Sequence, residues 1–425
     1  MRTSSAETSS ARSFSCQIHG PKFPPGESCA CAASSVKNAM AHGAAFRATV
    51  KPATMRRGRK SSMFSVSQCF SESYAEARGK FCAAAADGGG ALRSWLNPKA
   101  LGPGGEKLCL DTAKFGPADA QNMLVLIAGT HGVEGHCGSG AMISWLRSGG
   151  PAKLPKGTGA LLIHALNPYG FAWTRRVTED NVDLNRNFVD HDKAYPKNEG
   201  YLAIADAVLP KAWTEESKAE TERTFAAYAQ KHGAFGLQGA ISGGQYTHPD
   251  GIFFGGHTST WSNRTVRAVA REELSRARHV AIIDFHTGLG PFGHGELICA
   301  VSPGAKSFGR AKAWYGDELT SPEGGTSTSA VVVGIMTDAF PQELPDAQVT
   351  PIALEYGTYS VPEVLNAVRA DNWLHHRGDV ASELGRTLKA DMKERFFPAG
   401  DKWRDMVWAR ADQTVGWALK GMAGG

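Results

Sequence analysis

An imidazole and a carboxylate stand three residues apart in His131-Gly-Val-Glu134. They follow the apolar run Met123-Leu-Val-Leu-Ile-Ala128 and precede the small-residue stretch Gly135-His-Cys-Gly-Ser-Gly140. On a turn leaving a buried strand, both side chains can point at one ion. Zinc accepts such a mixed nitrogen and oxygen set, and a catalytic zinc needs one further protein ligand plus water. His286 ends a second apolar run, Val280-Ala-Ile-Ile-Asp-Phe-His286, and is the candidate third ligand. An HxxE pair alone is a weak signal. Its position after a buried strand, between glycines, sets this one apart from a helix-start His with a capping Glu. A His ending an apolar strand is ordinarily a satisfied core residue, but here Thr287-Gly-Leu-Gly290 reads as a turn that would expose it. Asp284 shares its strand face by the period of two and can accept the other imidazole N–H, fixing the tautomer.

Three further groups bear on chemistry. Asn167-Pro-Tyr-Gly-Phe171, Arg175-Arg176 and Val182-Asp-Leu-Asn-Arg-Asn-Phe188 put three arginines and several asparagines within about twenty residues, a candidate anion site. The bland alternative for these residues is a solvated, turn-rich loop. Glu355 ends Pro351-Ile-Ala-Leu-Glu355, where a carboxylate in a polar cleft can serve as general base. Gly288-Leu-Gly-Pro-Phe-Gly293 formally matches GxGxxG, but no helix start follows to hold a pyrophosphate, and residues 297–301 read as another strand. No GxSxG elbow occurs, which argues against a serine hydrolase of the α/β type.

The elements that must position these residues alternate. Buried strands are expected at 124–128, 160–166, 280–285 and 351–354. Helices are expected at 74–85, 140–148, 214–232 (closing on Gly233), 362–376 and 380–395. That alternation implies an α/β fold: a mixed, mostly parallel twisted sheet with helices on both faces. Sites in such sheets lie at the carboxyl ends of strands, where His131, Glu134, His286 and Glu355 all fall.

Composition agrees with a globular chain: 425 residues, 42% hydrophobic and 20% charged. No apolar run approaches the ~18 residues of a membrane span. The net charge of +5 is unevenly spread. Residues 1–62 carry ten Lys/Arg and two Glu (+8); the other 363 residues carry 36 basic and 39 acidic groups (−3), no footprint for nucleic acid. The expected organisation is a disordered basic extension, 1–62, and a single catalytic domain, 63–425. The extension reads either as a transit peptide or as sequence upstream of a true start at Met63; helical patterning soon after Met63 favours the second. Eight scattered cysteines without a CxxC pair imply reduced thiols and a cytoplasmic setting.

Together these residues resemble the zinc metallocarboxypeptidase superfamily, which includes carboxypeptidase A-like enzymes and the aspartoacylase and succinylglutamate desuccinylase branch. The likeness covers residues 124–358, and Val182–Phe188 is its most specific piece. It is nearest to a little-characterised bacterial carboxypeptidase-like branch, marked by Thr130-His-Gly-Val-Glu-Gly135, Asp284-Phe-His-Thr-Gly-Leu-Gly290 and Glu355-Tyr-Gly-Thr358. The resemblance implies one Zn2+ per chain held by His131, Glu134 and His286. It implies Glu355 as general base and later proton donor, and Arg176 as the group polarising the scissile carbonyl. Arg175 competes for that role, since spacing does not decide between the two. Asn185 and Arg186 would hold the substrate's free carboxylate. The implied reaction is hydrolysis of an amide beside a free carboxylate in a small peptide. The alternatives are deacylation of an N-acyl amino acid, and a binding protein that keeps the fold without turnover. Neither nucleic acid nor a membrane is an expected partner. Two family features have no placed counterpart: the specificity-determining residue, and the substrate-capping tyrosine, for which Tyr315 is no more than a guess.

Overall fold

The structure, a computed structural model, describes residues 65–424. The basic extension and Met63 lie outside the described residues. Eight strands form one sheet: β1 (Ala91–Leu101), β2 (Lys107–Phe115), β3 (Asn122–Ala128), β4 (Thr158–His164), β5 (His279–Phe292), β6 (Gly295–Ile298), β7 (Leu319–Thr320) and β8 (Gln348–Gly357). Their spatial order is β1-β2-β4-β3-β5-β8-β6-β7. The central strands β4, β3, β5 and β8 run parallel, β1 and β2 add antiparallel pairings on one side, and β6 pairs antiparallel with β8 on the other.

The sheet is buried on both faces because its central strands carry uninterrupted apolar runs, Met123–Ala128, Ala160–Ile163, Val280–Ile283 and Pro351–Leu354. Leu124, Leu126, Ala128, Ala281 and Ile283 face one core with the helices Gly135–Arg147 and Asp401–Ala423. Met123, Val125, Ile127, Val280 and Ile282 face the other core with the helix Trp261–Leu274. Each Leu, Ile, Val or Met among them stabilises the fold by about 1.5–3 kcal/mol relative to exposure, and each Ala by less. A one-residue slip would exchange the two faces, so register is firmly set. It places Asp284 beside Ile127 and His286 beside Glu355.

Several boundaries differ from expectation, each for a physical reason. The helix after His131 begins at Gly135, not 140: its small residues let the first turn lie directly on the sheet, with every residue from Gly135 to Leu146 buried. The segment after His286 is not an exposing turn. β5 continues irregularly to Phe292, with Gly288 and Gly290 supplying positive φ (134° and 99°), and His286 is only 3% exposed. The strand therefore runs through GxGxxG, and β6 follows it rather than a helix. The helix expected to close on Gly233 breaks there (φ 78°, ψ 165°) and resumes to Ser242.

Two loops bearing site residues are fastened backbone to backbone. Gly132 N–H bonds the Arg176 carbonyl (3.1 Å) and Val133 N–H the Arg175 carbonyl (2.8 Å). The approach needs glycine: a Cβ on Gly132 would lie 2.0 Å from the Gly170 carbonyl carbon. Asn167 shapes the facing turn by accepting from Gly170 N–H (2.9 Å) and donating to the Arg176 carbonyl (3.3 Å).

Gly132→Ala is expected to lower stability by about 2 kcal/mol or more, read from the urea midpoint, because main chain must move. Gly239→Ala, whose Cβ meets nothing within 4 Å, is the control and should be neutral or slightly stabilising.

Candidate metal centre

Each ligand candidate is delivered by a separate feature of the sheet edge. His131 and Glu134 lie on the loop between β3 and its helix; His286 lies in the middle of β5, one residue before its regular pairing with β8 breaks after Thr287. One donor atom from each of the three lies within 4.8 Å of the others, the one such group of His, Cys, Asp or Glu among the described residues. All three side chains are buried, at 5% exposure or less.

The donor set fits a cation. His286 Nε2 is 2.7 Å from Asp284 Oδ2, and a carboxylate only accepts, so the ring's N–H is on that side. Thr130 Oγ1 donates to the other oxygen of Asp284 (2.8 Å) and fixes it. His286 Nδ1 is thereby aimed at Glu134 Oε2 (2.9 Å) and at His131 Nδ1 (3.2 Å). His131 turns Nδ1 to Glu134 Oε1 (2.9 Å), while its Nε2 stands between Asp183 Oδ1 (3.2 Å) and the Arg176 guanidinium (2.9 Å); to hold an ion at Nδ1 it would give its Nε2 N–H to Asp183, with Arg176, which only donates, released from the ring. Glu134, Asp183, Asp284 and Glu355 bring four carboxylates to this small volume, against one fixed cation, Arg176.

The electrostatics report the same surplus. Burial opposes a charged His286, yet Asp284 and Glu134 hold its pKa well above the usual imidazole value. Burial also opposes the Glu134 and Asp183 carboxylates, but His131 and His286 hold the first low, and Arg176 and His131 the second. The spot demands positive charge. A proton supplies it in the bare protein, and a dication competes for the same atoms.

Glu355 sits beside His286 across the β5–β8 ladder, and its Oε1 accepts from Leu289 N–H (3.0 Å). Burial, then the Glu134 charge, pushes its pKa up to about 8. A cation next to it would bring that value down and leave an ionised carboxylate at neutral pH.

The three arginines diverge. Arg176 reaches the centre, with Nε on Asp183 (2.9 Å), Nη1 on Glu134 (3.1 Å) and Nη2 facing His131 Nε2 (2.9 Å). Arg175 turns away into a buried pair with Asp371 (3.0 Å), which also takes Lys389 (2.6 Å). Arg186 donates to the carbonyls of Asn185 (2.9 Å) and Ser242, and its buried Nε has no partner. Asn185 lines a small cavity with His286, and its Oδ1 accepts from Met336 N–H (3.0 Å). Other asparagines of the motif are structural: Asn187 bonds the Gly255 and Thr258 carbonyls (2.8 and 2.9 Å). Tyr315 packs in the core against Trp417, 3% exposed, and takes no part in the site.

Asp183 escaped the sequence reading, which noted the arginines and asparagines around it and passed over the acid. The signal was present: an Asp between two apolar residues, Val182 and Leu184, within a run already marked as specific. A buried acid in such a position needs a cationic partner, and Arg176 is seven residues upstream.

Residues 70–410 match a protein family described as "Protein of unknown function (DUF2817)", and the chain belongs to that family. No curated protein sequence matches significantly. Among solved structures, the chain is similar to carboxypeptidase A from Helicoverpa armigera (12% identity over 76% of this chain and 73% of the other, TM-score 0.38). It is likewise similar to the succinylglutamate desuccinylase from Chromobacterium violaceum (15%, 74% and 72%, TM-score 0.32) and to glutaminyl cyclase from Porphyromonas gingivalis (10%, 84% and 98%, TM-score 0.34). At such identity and TM-score none of them assigns an activity.

In metal-free protein the raised pKa of Glu355 means that the folded state keeps a proton which the unfolded chain loses above about 4.5. The resulting stability is fully present below that value and is lost as pH rises through about 8. Chelator-treated wild type should therefore lose urea resistance between those values more steeply than Glu355→Gln; parallel curves would contradict the burial of this carboxyl.

Proposed function

We propose that the protein is a zinc-dependent hydrolase that cleaves an amide beside a free carboxylate, in the manner of a carboxypeptidase. The observation that carries this reading is the buried convergence of His131, Glu134 and His286, with carboxylates behind both rings and Glu355 alongside. His131, Glu134 and His286 would hold a zinc ion, which when bound would supply a Lewis acid that activates water near neutral pH.

This chain's own residues do the rest. Glu355, fixed by Leu289 N–H, takes a proton from the attacking water and later returns it to the leaving amine. Arg176 donates to the carbonyl oxygen as negative charge develops on it, and the bonds to Asp183 hold its guanidinium in place beforehand. Of the two adjacent arginines, Arg176 fits this role, because Arg175 is committed to Asp371. Arg175 instead fastens the loop on which Arg176 stands. Asn185, at the cavity beside His286, binds the substrate carboxylate, and Arg186, which lies outside that lining and is bonded to the Asn185 and Ser242 carbonyls, would assist through its remaining N–H groups.

Deacylation of an N-acyl amino acid would use the same groups, since both substrates present an amide next to a carboxylate. Blocked dipeptides assayed beside N-acyl amino acids separate the two. On either substrate, Glu355→Gln is expected to retain zinc and to lose at least about a hundredfold in kcat. Activity within a few-fold of wild type would remove Glu355 from the mechanism.

A further inference from the structure

Two guanidinium groups meet over one aromatic ring. Arg176 Cζ lies over the ring of Phe253, 5.1 Å from its centroid, and Arg186 Cζ lies over the same ring at 5.6 Å. Both distances fall within the reach of cation–π attraction. Phe253 is buried, and its backbone stands at φ 53°. A bulky side chain rarely adopts that left-handed conformation, which persists only where the surroundings over-determine it.

Those surroundings belong to the site. Asp183, the acid on Arg176 Nε, bonds through its own N–H to the Phe254 carbonyl (2.8 Å). Gln245 N–H bonds the Phe253 carbonyl (3.1 Å). Asn181 accepts from Arg175 and donates to the Gly251 carbonyl (3.0 Å). The backbone around Phe253 is thus laced to the loop that carries Arg176.

The ring supplies what the two arginines lack. Arg186 has no acid among its hydrogen-bond partners: it donates to the Asn185 and Ser242 carbonyls, and its buried Nε bonds nothing among the described residues. Arg176 is bonded to Asp183, Glu134 and His131, but a His131 that holds an ion no longer accepts from it. Its Nη2 is then free to face a ligand, and fewer bonds set the plane of its guanidinium. The electron-rich face of a phenyl ring attracts a cation without occupying an N–H. Such a contact holds both groups and leaves their donors for an anion.

We propose that Phe253 is a positioning residue, whose ring holds Arg176 and Arg186 in place for the two negative ends of one ligand, the developing oxyanion and the free carboxylate. This rests on the hydrolase reading for what the arginines bind. The hold itself is tested without turnover.

Phe253 also packs with Val133, Tyr201 and Ile252, so truncation would disturb the core. The test instead replaces it, in the zinc-loaded full chain, by phenylalanine carrying one, two or three ring fluorines. Fluorine drains negative charge from the ring face and hardly changes its size, so cation–π attraction fades stepwise while packing is kept. Nitrogen NMR of the arginine side chains reads rotation about the Nε–Cζ bond, with Arg175, paired to Asp371, as internal control. Rotation of Arg176 and Arg186 is expected to quicken with each fluorine, by about three- to tenfold for three, with Arg175 and the melting temperature unchanged. For benzoylglycyl-phenylalanine or N-acetylphenylalanine, kcat should fall and KM should rise in the same order. Rates at Arg176 and Arg186 that ignore fluorine, or that change together with Arg175, would overturn the proposal. Faster rotation with neither compound cleaved by wild type leaves the ring in its role and removes the hydrolase. Cleavage with kcat and KM flat across the series keeps the hydrolase and removes Phe253.

Discussion

The structure turns on an excess of buried negative charge. Glu134, Asp183, Asp284 and Glu355 converge on two imidazoles, and Arg176 is the permanent cation bonded directly to them, with the charge of Arg186 also felt by Asp183. Carboxylates are costly to bury unless paired. Here they are arranged so that two rings turn their Nδ1 atoms towards each other and towards Glu134. Two lone pairs and a carboxylate facing one point are mutually repulsive without a positive charge between them. That constraint explains the carboxylate behind each ring, the high pKa of His286, and the placement of Glu355 next to the centre rather than in it.

The fold supplies the convergence through strand ends. The parallel register of β3, β5 and β8 brings Ala128, Phe285 and Leu354 into line, so the residues just beyond them share one edge. His286 and Glu355 are cross-strand partners and need no loop to meet. His131 and Arg176 do need loops, and those loops are locked by the contact of Gly132 with Gly170 and by the buried Arg175–Asp371–Lys389 group. A site on rigid strands with its loops pinned from behind is preorganised, which electrostatic catalysis requires.

Much of this was legible in the sequence, for reasons that can be named. The four central strands are continuous apolar runs, and such runs declare themselves. Their ends carry His131, His286 and Glu355, so the site edge followed from the strands. The outer elements were harder. β1 is largely exposed and contains Pro98, so it shows neither an apolar run nor a clean alternation. β7 is two residues long. The helix Asp401–Ala423 does carry a readable three-to-four spacing in Trp403, Val407, Ala411, Val415, Ala418 and Met422, and went unread. The choice between Arg175 and Arg176 was beyond the sequence, because neighbours in a loop point in different directions and only the partners, Asp371 and Asp183, tell them apart. Asp371 lies 196 residues away, and Asp183, though only seven residues on, could by spacing alone have paired with either arginine.

The most direct test is metal content. Elemental mass spectrometry of the purified full chain, after reconstitution and desalting, should find about one zinc per chain, and His286→Ala should lose it. If wild type holds no zinc, or if the variant holds as much as wild type, the buried acceptors are not a metal centre and the account fails at its base.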